Sequence, residues 1–321
     1  MIIKRGIKFE RERVERLLAI QSAKVRVAVN AYVGSLTSEA MVRRVADTLQ
    51  SGGPDATLDF IDEHVIRIAD SMTSGFVGAG TSEINNIKAL IGQPTIGISF
   101  DPASPRAAAF MEKNKLEFVT NYTRSQKDST RKALTAALDS GAGVREAARA
   151  FRDSIGLTET QWDAVNSYRS ALEAGNSDAL DRALRDRRFD GTVTSSINND
   201  EPLTPAQIDR MVDRYRDRYL SLRAETIART ETIKVLNVAR QEATTQIVEE
   251  TGIDPSNVKR RWMATLDART RDDHAEMDGQ EVGMNEPFTS PSGTELMYPG
   301  DPSAPVEEII NCRCVVAINI E

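Results

Sequence analysis

The chain has 321 residues, 40% of them hydrophobic and 5% aromatic, with a formal charge of −7 at pH 7. That length holds two or three domains at about 100 to 200 residues each, and scarce aromatics beside abundant Ala, Arg, Glu and Leu favour packed helices over an all-β core. No window approaches the ~20 apolar residues of a membrane span, and the start Met1-Ile2-Ile3-Lys4-Arg5-Gly6 lacks the apolar run of a signal peptide. Two cysteines separated by a single residue make no secreted disulfide framework, so the expectation is folding in a reducing, cytosolic compartment. The charge is uneven: residues 254–321 hold six Lys/Arg and thirteen Asp/Glu, so the acidic excess lies wholly in this C-terminal tract. Acid there repels duplex phosphates, which argues against generic nucleic-acid binding and for an Arg-bearing protein partner.

Along the chain, residues 8–34 carry Val14, Leu17, Leu18, Val25, Ala28 and Val29 on a helical period, with Gly34 as a C-cap. A second helix capped by Thr37 or Ser38 reaches Leu49, before the break Gly52-Gly53-Pro54, and a third follows Asp55. His64 within it reads as a packing or surface residue without function. Between Ser71 and Pro105 the composition shifts to Gly, Ser, Thr and Pro, with a short apolar alternation at 95–100; this predicts a connector carrying a strand or an extended arm. Helices return from Pro105, break at Gly141-Ala142-Gly143, and continue through 144–155 and 158–172, the latter capped by Thr158. A further helix is expected at 176–184, and the Arg- and Asp-rich run 182–190 reads as a salt-bridged, solvated face.

Thr204 as N-cap and Pro205 at the first helical position start the longest element. Ile208, Val212, Tyr215, Tyr219, Leu222, Thr226, Arg229, Ile233, Leu236, Arg240, Ala243 and Ile247 follow steps of four and three, a heptad seam over about forty residues. Arg229 on that stripe needs a fixed oxygen partner, and the acidic C-terminal tract is the expected source, with Asp267 or Asp278 first. Gly252 and Pro255 close the helix. A period-two pattern then predicts a strand carrying Arg260, Trp262, Ala264 and Leu266 on one face. A short helix at 271–277 ending at Asp278-Gly279, a hairpin around Ser292-Gly293, and a last strand with Cys312, Cys314, Val316, Ile318 and Ile320 on one face complete it. The fold class is therefore mainly α with a small C-terminal α+β domain, joined by the heptad helix. The expected segments are a helical region 1–91, a helical middle domain 92–203, the long helix 204–252 and the α+β domain 253–321.

One of the chain's two histidines and both cysteines lie in the last segment. Soft thiolates with an imidazole suit zinc, which makes His274, Cys312 and Cys314 candidate ligands, with Asp267 or Asp278 as a fourth. A Cys nucleophile with His274 as base is a second reading. The third is structural: the cysteines serve as small buried hydrophobes, and Asp267, Arg269, Arg271 and Asp278 form a network pinning the loops. This reading is favoured, so no catalytic residue, metal or cofactor is assigned, zinc remaining the candidate. An i to i+2 disulfide is disfavoured because about 6.6 Å on extended backbone lies at the edge of bridgeable geometry.

The ordered set Arg229-Thr230-Glu231, Trp262, Asp267-Ala268-Arg269-Thr270-Arg271, His274, Asp278-Gly279-Gln280, Phe288, Tyr298-Pro299-Gly300-Asp301 and Asn311-Cys312-Arg313-Cys314 resembles the phage Mu F-like minor head proteins. Ile155-Gly156-Leu157-Thr158, Arg187-Arg188-Phe189-Asp190 and the stretch from Leu203 to Asp209 extend the likeness over roughly residues 92–321. The resemblance implies a head morphogenesis protein of a tailed phage or prophage, structural and not an enzyme. It implies a place inside the head near the portal vertex of the virion, in the host cytoplasm during assembly, with a role in capsid assembly and genome delivery. The portal protein and other head proteins would be its partners, and packaged DNA a contact without sequence specificity. The motif residues would serve structural roles. The alternative from another class is a metal-dependent hydrolase or toxin-associated module using His274, Cys312 and Cys314.

Overall fold

The computed structural model describes residues 3–320; Met1 and Ile2 of the amino-terminal stretch read above, and Glu321, lie outside them. Four long helices dominate: α1 (Ile3–Thr37), α2 (Glu39–Leu90), α3 (Pro105–Asp139) and, after the shorter α4 (Val144–Ser154), α5 (Glu159–Glu173) and α6 (Asp190–Asn199), the helix α7 (Pro205–Thr251). The C-terminal region adds β1 (Val258–Met263), α8 (Asp272–Glu276), β2 (Glu281–Gly283), β3 (Phe288–Thr289), β4 (Glu295–Leu296), α9 (Val306–Ile309) and β5 (Val315–Ile320). The expected class, mainly α with a small C-terminal α+β region, is what forms.

Local chemistry explains the boundaries. The Ser38 hydroxyl accepts from the Met41 N–H at 3.2 Å, opening α2. At Gly53 the backbone takes φ 75°, ψ −176°, and Pro54, which has no N–H to leave unpaired, restarts the helix beyond this bend. Thr158 opens α5 with a full capping box to Gln161. Thr204 and Gln207 do the same for α7, with the Thr204 N–H donating to Gln207 Oε1 at 2.8 Å.

Two expectations change. Residues 71–90 are not a connector but the second half of α2, burying Met72, Phe76, Ala79, Ile84 and Ile87. Its glycines serve close packing: a Cβ on Gly80 would lie 2.5 Å from the Phe100 ring. Residues 95–100 form no strand, and the segment before α3 is neither a strand nor a free arm. It docks on α7, with Gln246 accepting from the Asp101 N–H and donating to the Asp101 carbonyl, both at 2.9 Å. The helix expected at 176–184 shrinks to one 3-10 turn, Ser177–Asp181, and α6 follows unanticipated.

The chain forms two compact units, each drawn from separated stretches and so cutting across the linear segments expected from sequence: residues 1–28, 67–117 and 225–321 in one, and 29–66 and 118–224 in the other. The second has a core of Leu157, Trp162, Val165, Tyr168, Leu172, Ile208, Val212 and Tyr215, with the Tyr168 and Tyr215 rings 4.4 Å apart. On its surface Arg185 pairs with Asp190 and Arg188 with Asp186, the salt-bridged face the sequence suggested.

Along α7, whose residues to 224 belong to the second unit and the rest to the first, the seam changes character. Leu222, a seam position, is 45% exposed, but no residue from 232 to 248 is exposed. Most of this stretch is buried, and the half-buried Lys234, Val238, Gln241 and Thr245, at steps of four and three, mark one face, so the buried stripe widens without closing round the helix. Its polar residues are held individually: Asn237 donates to the Pro299 carbonyl at 2.8 Å and Gln241 to that of Met284 at 3.1 Å. Arg240 meets Glu10 of α1 and Glu83 of α2, with Nε 2.6 Å from Glu83.

The C-terminal sheet has order β2-β1-β5, antiparallel throughout, with Arg260 opposite Val282 and Ile318, and Trp262 opposite Val316. The hairpin of β3 and β4 turns at Gly293, whose φ of 84° suits glycine. Behind the sheet Trp262, Met277, Phe288, Leu296, Cys312, Cys314, Val316 and Ile318 share one core.

Candidate functional site

Asn311 takes φ 57°, a left-handed conformation that Asn tolerates better than most residues, and the chain then alternates as a strand does. Cys312 and Cys314 turn inward, each 2% exposed, and Arg313 between them turns outward. Asp272–Glu276 folds as α8 and delivers His274, 1% exposed, onto the same spot. Its Nδ1 lies 3.6 Å from Cys312 Sγ and 3.5 Å from Cys314 Sγ. Its other nitrogen, Nε2, lies 2.8 Å from Glu308 Oε2 on α9. Trp262 from β1 stands edge-on to the imidazole with ring centres 5.3 Å apart, and Phe288 packs on the indole at the same separation. Both cysteines are free thiols.

The cluster is electrostatically polarised. Hydrogen bonding from Cys314, and from His274, holds the Cys312 thiol well below its ordinary value against the effect of burial. The same contact and burial push Cys314 up, opposed by the indole N–H of Trp262. Burial opposes a charge on His274, but the hydrogen bond to Cys312 and the charges of Cys312 and Glu308 outweigh it and raise the imidazole. Cys312 is thus biased toward thiolate, His274 toward imidazolium and Cys314 toward the neutral thiol, in a buried, aromatic-walled space. A soft cation suits these donors.

The proposed fourth ligands do not join them. Asp267 is clamped by Arg313 at 2.6 and 2.5 Å and accepts from the Arg269 N–H at 2.9 Å, and its pairing with Arg313 holds its carboxyl well below the usual range. Asp278 accepts from the Ala264 N–H at 2.8 Å, with Arg11 at 4.0 Å. Arg11 in turn donates to the Ala264 carbonyl at 2.9 Å.

The remaining motif residues hold the surrounding loops. Arg271 donates to the Ile310 carbonyl, and the Arg269 side chain is exposed beside Asp267. Gly279, at φ 87°, donates to the Trp262 carbonyl at 2.9 Å, and a Cβ there would crowd Arg261. Glu231 pairs locally with Lys234 at 2.6 Å. Half-buried Arg229 reaches the C-terminal tract, but not through an acid: Nη1 donates to Asn311 Oδ1 at 3.1 Å. Both anticipated partners are already engaged, as above. The Asn311 N–H also donates to Thr230 Oγ1 at 3.1 Å and its Nδ2 to Thr226 Oγ1 at 3.5 Å, so the turn before Cys312 is gripped by α7 from three positions.

Sequence reasoning missed Glu308, whose position in an acidic pair four residues before Cys312 carries no signal of its own. It also missed Arg260, 1% exposed, which points into the core and donates to the carbonyls of Met297 (2.6 Å), Gly283 (3.1 Å) and Glu286. Its guanidinium stacks 5.3 Å over Phe288. The signal was present: an Arg on the inward face of a strand must find acceptors.

Among curated proteins, the chain is 37% identical over 92 residues to the NAD(+)-arginine ADP-ribosyltransferase EFV of Enterococcus faecalis, covering 27% of this chain and 17% of that protein. It is 31% identical over 99 residues to minor head protein GP7 of Bacillus phage SPP1, covering 31% and 30%. It is also 31% identical over 98 residues to the uncharacterized protein YqbB of Bacillus subtilis, covering 30% of each. The chain thus spans less than a third of the length of these relatives. No solved structure matches. The profile described as Phage Mu protein F like protein matches residues 128–317, from the middle of α3 through α7 to β5, and by this extent the chain belongs to the Phage Mu protein F like family.

Proposed function

We propose that the protein is a minor head protein acting in head morphogenesis of a tailed phage or prophage. The observation that carries this reading is the family match over residues 128–317, supported by the likeness to the minor head protein of phage SPP1. The protein would stand in few copies inside the head near the portal vertex, with the portal protein and other head proteins as partners, and assist assembly and genome delivery. An acidic C-terminal tract favours Arg-bearing protein surfaces over DNA as the contact. Among the described residues no helix is long and apolar enough to cross a membrane. The transferase relative shares a stretch amounting to 17% of its length, and no catalytic role is assigned to this chain from it.

Deletion of the gene from its phage or prophage, followed by electron microscopy, titre and mass spectrometry of particles, tests the reading. Fewer, misassembled or poorly infectious particles are expected, along with peptides of this chain in wild-type particles. Normal titre together with absence of the chain from both assembling and mature particles would overturn it. Cross-linking to the portal protein in assembling heads tests the finer placement.

A further inference from the structure

We propose that His274, Cys312 and Cys314 form a zinc site in which Glu308 orients the histidine, and that the ion locks the Asn311 turn onto the C-terminal core.

Four observations converge on it. First, the donor types are two thiols and an imidazole within 4.8 Å of one another, all buried. Soft thiolates with imidazole select zinc over hard cations. Second, the spacing fits. Tetrahedral zinc with Zn–S near 2.3 Å and Zn–N near 2.05 Å sets sulfur-to-nitrogen edges at about 3.6 Å. The two such edges here are 3.6 and 3.5 Å. Both end on the same nitrogen, Nδ1, as a shared ion requires; one imidazole N–H can point at only one sulfur. Third, the far nitrogen Nε2 lies 2.8 Å from Glu308 Oε2, the carboxylate that a metal-bound histidine characteristically donates to, which fixes its tautomer. Fourth, the buried Nε1 of Trp262 has no hydrogen-bond partner, and the indole that carries this unpaired donor walls the cluster, edge-on to the His274 ring at 5.3 Å.

The i, i+2 spacing of the cysteines, unusual for zinc, is accounted for by extended backbone, which puts both sulfurs on one face. On binding, two protons in all leave the cluster for solvent, so that both sulfurs bind as thiolates and a neutral His274 binds through Nδ1 while its Nε2–H is donated to Glu308. With Asp267 and Asp278 held elsewhere, water takes the fourth position. The ligands come from α8 and from the residues just before β5, so the ion joins two segments that no main-chain ladder connects. The Asn311 turn that α7 grips is thereby fixed from its other side.

The test uses the full chain, purified with no residual affinity tag from cells grown with added zinc sulfate, and metal analysis by mass spectrometry. Close to one zinc per chain is expected, lost in Cys312→Ser/Cys314→Ser. Glu308→Gln, which keeps the shape of the side chain, should retain the fold and weaken zinc binding by about 10 to 100-fold in a chelator competition. Because the double variant can fail to fold, the wild-type protein supplies an independent reading. Stripped of metal and given cobalt(II), it should develop the thiolate-to-cobalt charge-transfer band and the intense ligand-field bands of tetrahedral cobalt. Wild-type protein with negligible zinc and no such bands overturns the proposal. So does a double variant that folds and keeps its zinc.

Discussion

Arg240 and Glu83 meet at 2.6 Å with 2% and 0% of their side chains exposed, one from α7 and the other from α2, and they bring Glu10 and Arg13 of α1 into the same contact. Two carboxylates and two guanidiniums thus neutralise one another in the interior. Such a set adds little net stability over apolar residues, but loss of a single member leaves an uncompensated buried charge. Arg240→Met is therefore expected to lower stability by about 3 to 5 kcal/mol, measured by urea denaturation. Adding Glu83→Gln should recover part of that loss, because the stranded carboxylate is gone. A double variant no more stable than the single would argue that packing, not charge, sets the cost.

The same quartet predicts a pH dependence. Burial alone would raise the Glu83 carboxyl, but the charges of Arg240 and Arg13 and their hydrogen bonds lower it from 4.5 to about 2. A carboxyl depressed in the folded state stabilises fully above its unfolded value and loses that contribution as pH falls toward the folded one. Stability should therefore decline between about pH 4.5 and pH 2. Asp186 and Asp267, also depressed by arginine partners, contribute in the same direction. Glu83→Gln should flatten the acid limb of a thermal melting series relative to wild type.

Arg229 and Asn311 form the shorter of two side-chain ties between α7 and the turn before Cys312, the other running from Asn311 to Thr226. A hydrogen bond with one charged partner is worth about 1.5 to 3 kcal/mol. Asn311→Gly removes the side chain without straining the left-handed backbone, and Arg229→Ala removes the donor. Each should cost up to this amount by chemical denaturation, and the double variant should cost less than the two together, with a coupling of about 0.5 to 3 kcal/mol. Strict additivity would mean that the contact carries no energy.

Gly80→Ala sets two effects against each other. Alanine in a helix interior gains about 1 kcal/mol over glycine. A Cβ at this position would sit 2.5 to 2.6 Å from three atoms of the buried Phe100 ring. Overpacking of that kind costs about 1 to 3 kcal/mol, so net destabilisation is expected in a thermal melt. Phe100→Leu in the Gly80→Ala background should restore part of it. A simple rise in melting temperature for Gly80→Ala would overturn the packing account.

Much of the architecture was legible where a local rule acts alone. Thr158 and Thr204 cap helices by contacts within four residues, Gly53-Pro54 bends α2 through its own backbone, and alternation turns both Cys312 and Cys314 inward, although the expected strand begins only after them, at Val315. Reading failed where tertiary packing overrides composition. Gly75, Gly78 and Gly80 look like loop residues in the sequence, yet Gly75 and Gly78 lie against Gln21 and Gly80 under Phe100, so they are small because a neighbour is close. The heptad count could not distinguish a narrow seam from burial over most of the helix, which is why Arg229 drew attention as the seam's buried arginine. Arg240 is the more buried of the two, and its acids come from α1 and α2 and not from the acidic C-terminal tract. At the candidate site the donors His274, Cys312 and Cys314 were identifiable by rarity alone. Glu308 was not, because what singles it out is a distance across 34 residues.

The stretch of α7 that carries no exposed residue, 232–248, also bears on how the chain leaves the ribosome. Its partners lie in residues 1–28, in 67–117 and in the C-terminal sheet, so this unit interleaves the first and last parts of the polypeptide. Contacts so distant in sequence close slowly, and those of α1 and α2 with α7 cannot close before α7 itself has been synthesised. Until then Glu10, Glu83 and the apolar faces of α1 and α2 wait without their central helix, the state in which nascent chains recruit chaperones or associate with neighbours. Arrival of α7, rather than formation of either earlier helix, is the step that lets this half of the molecule bury its ion pairs.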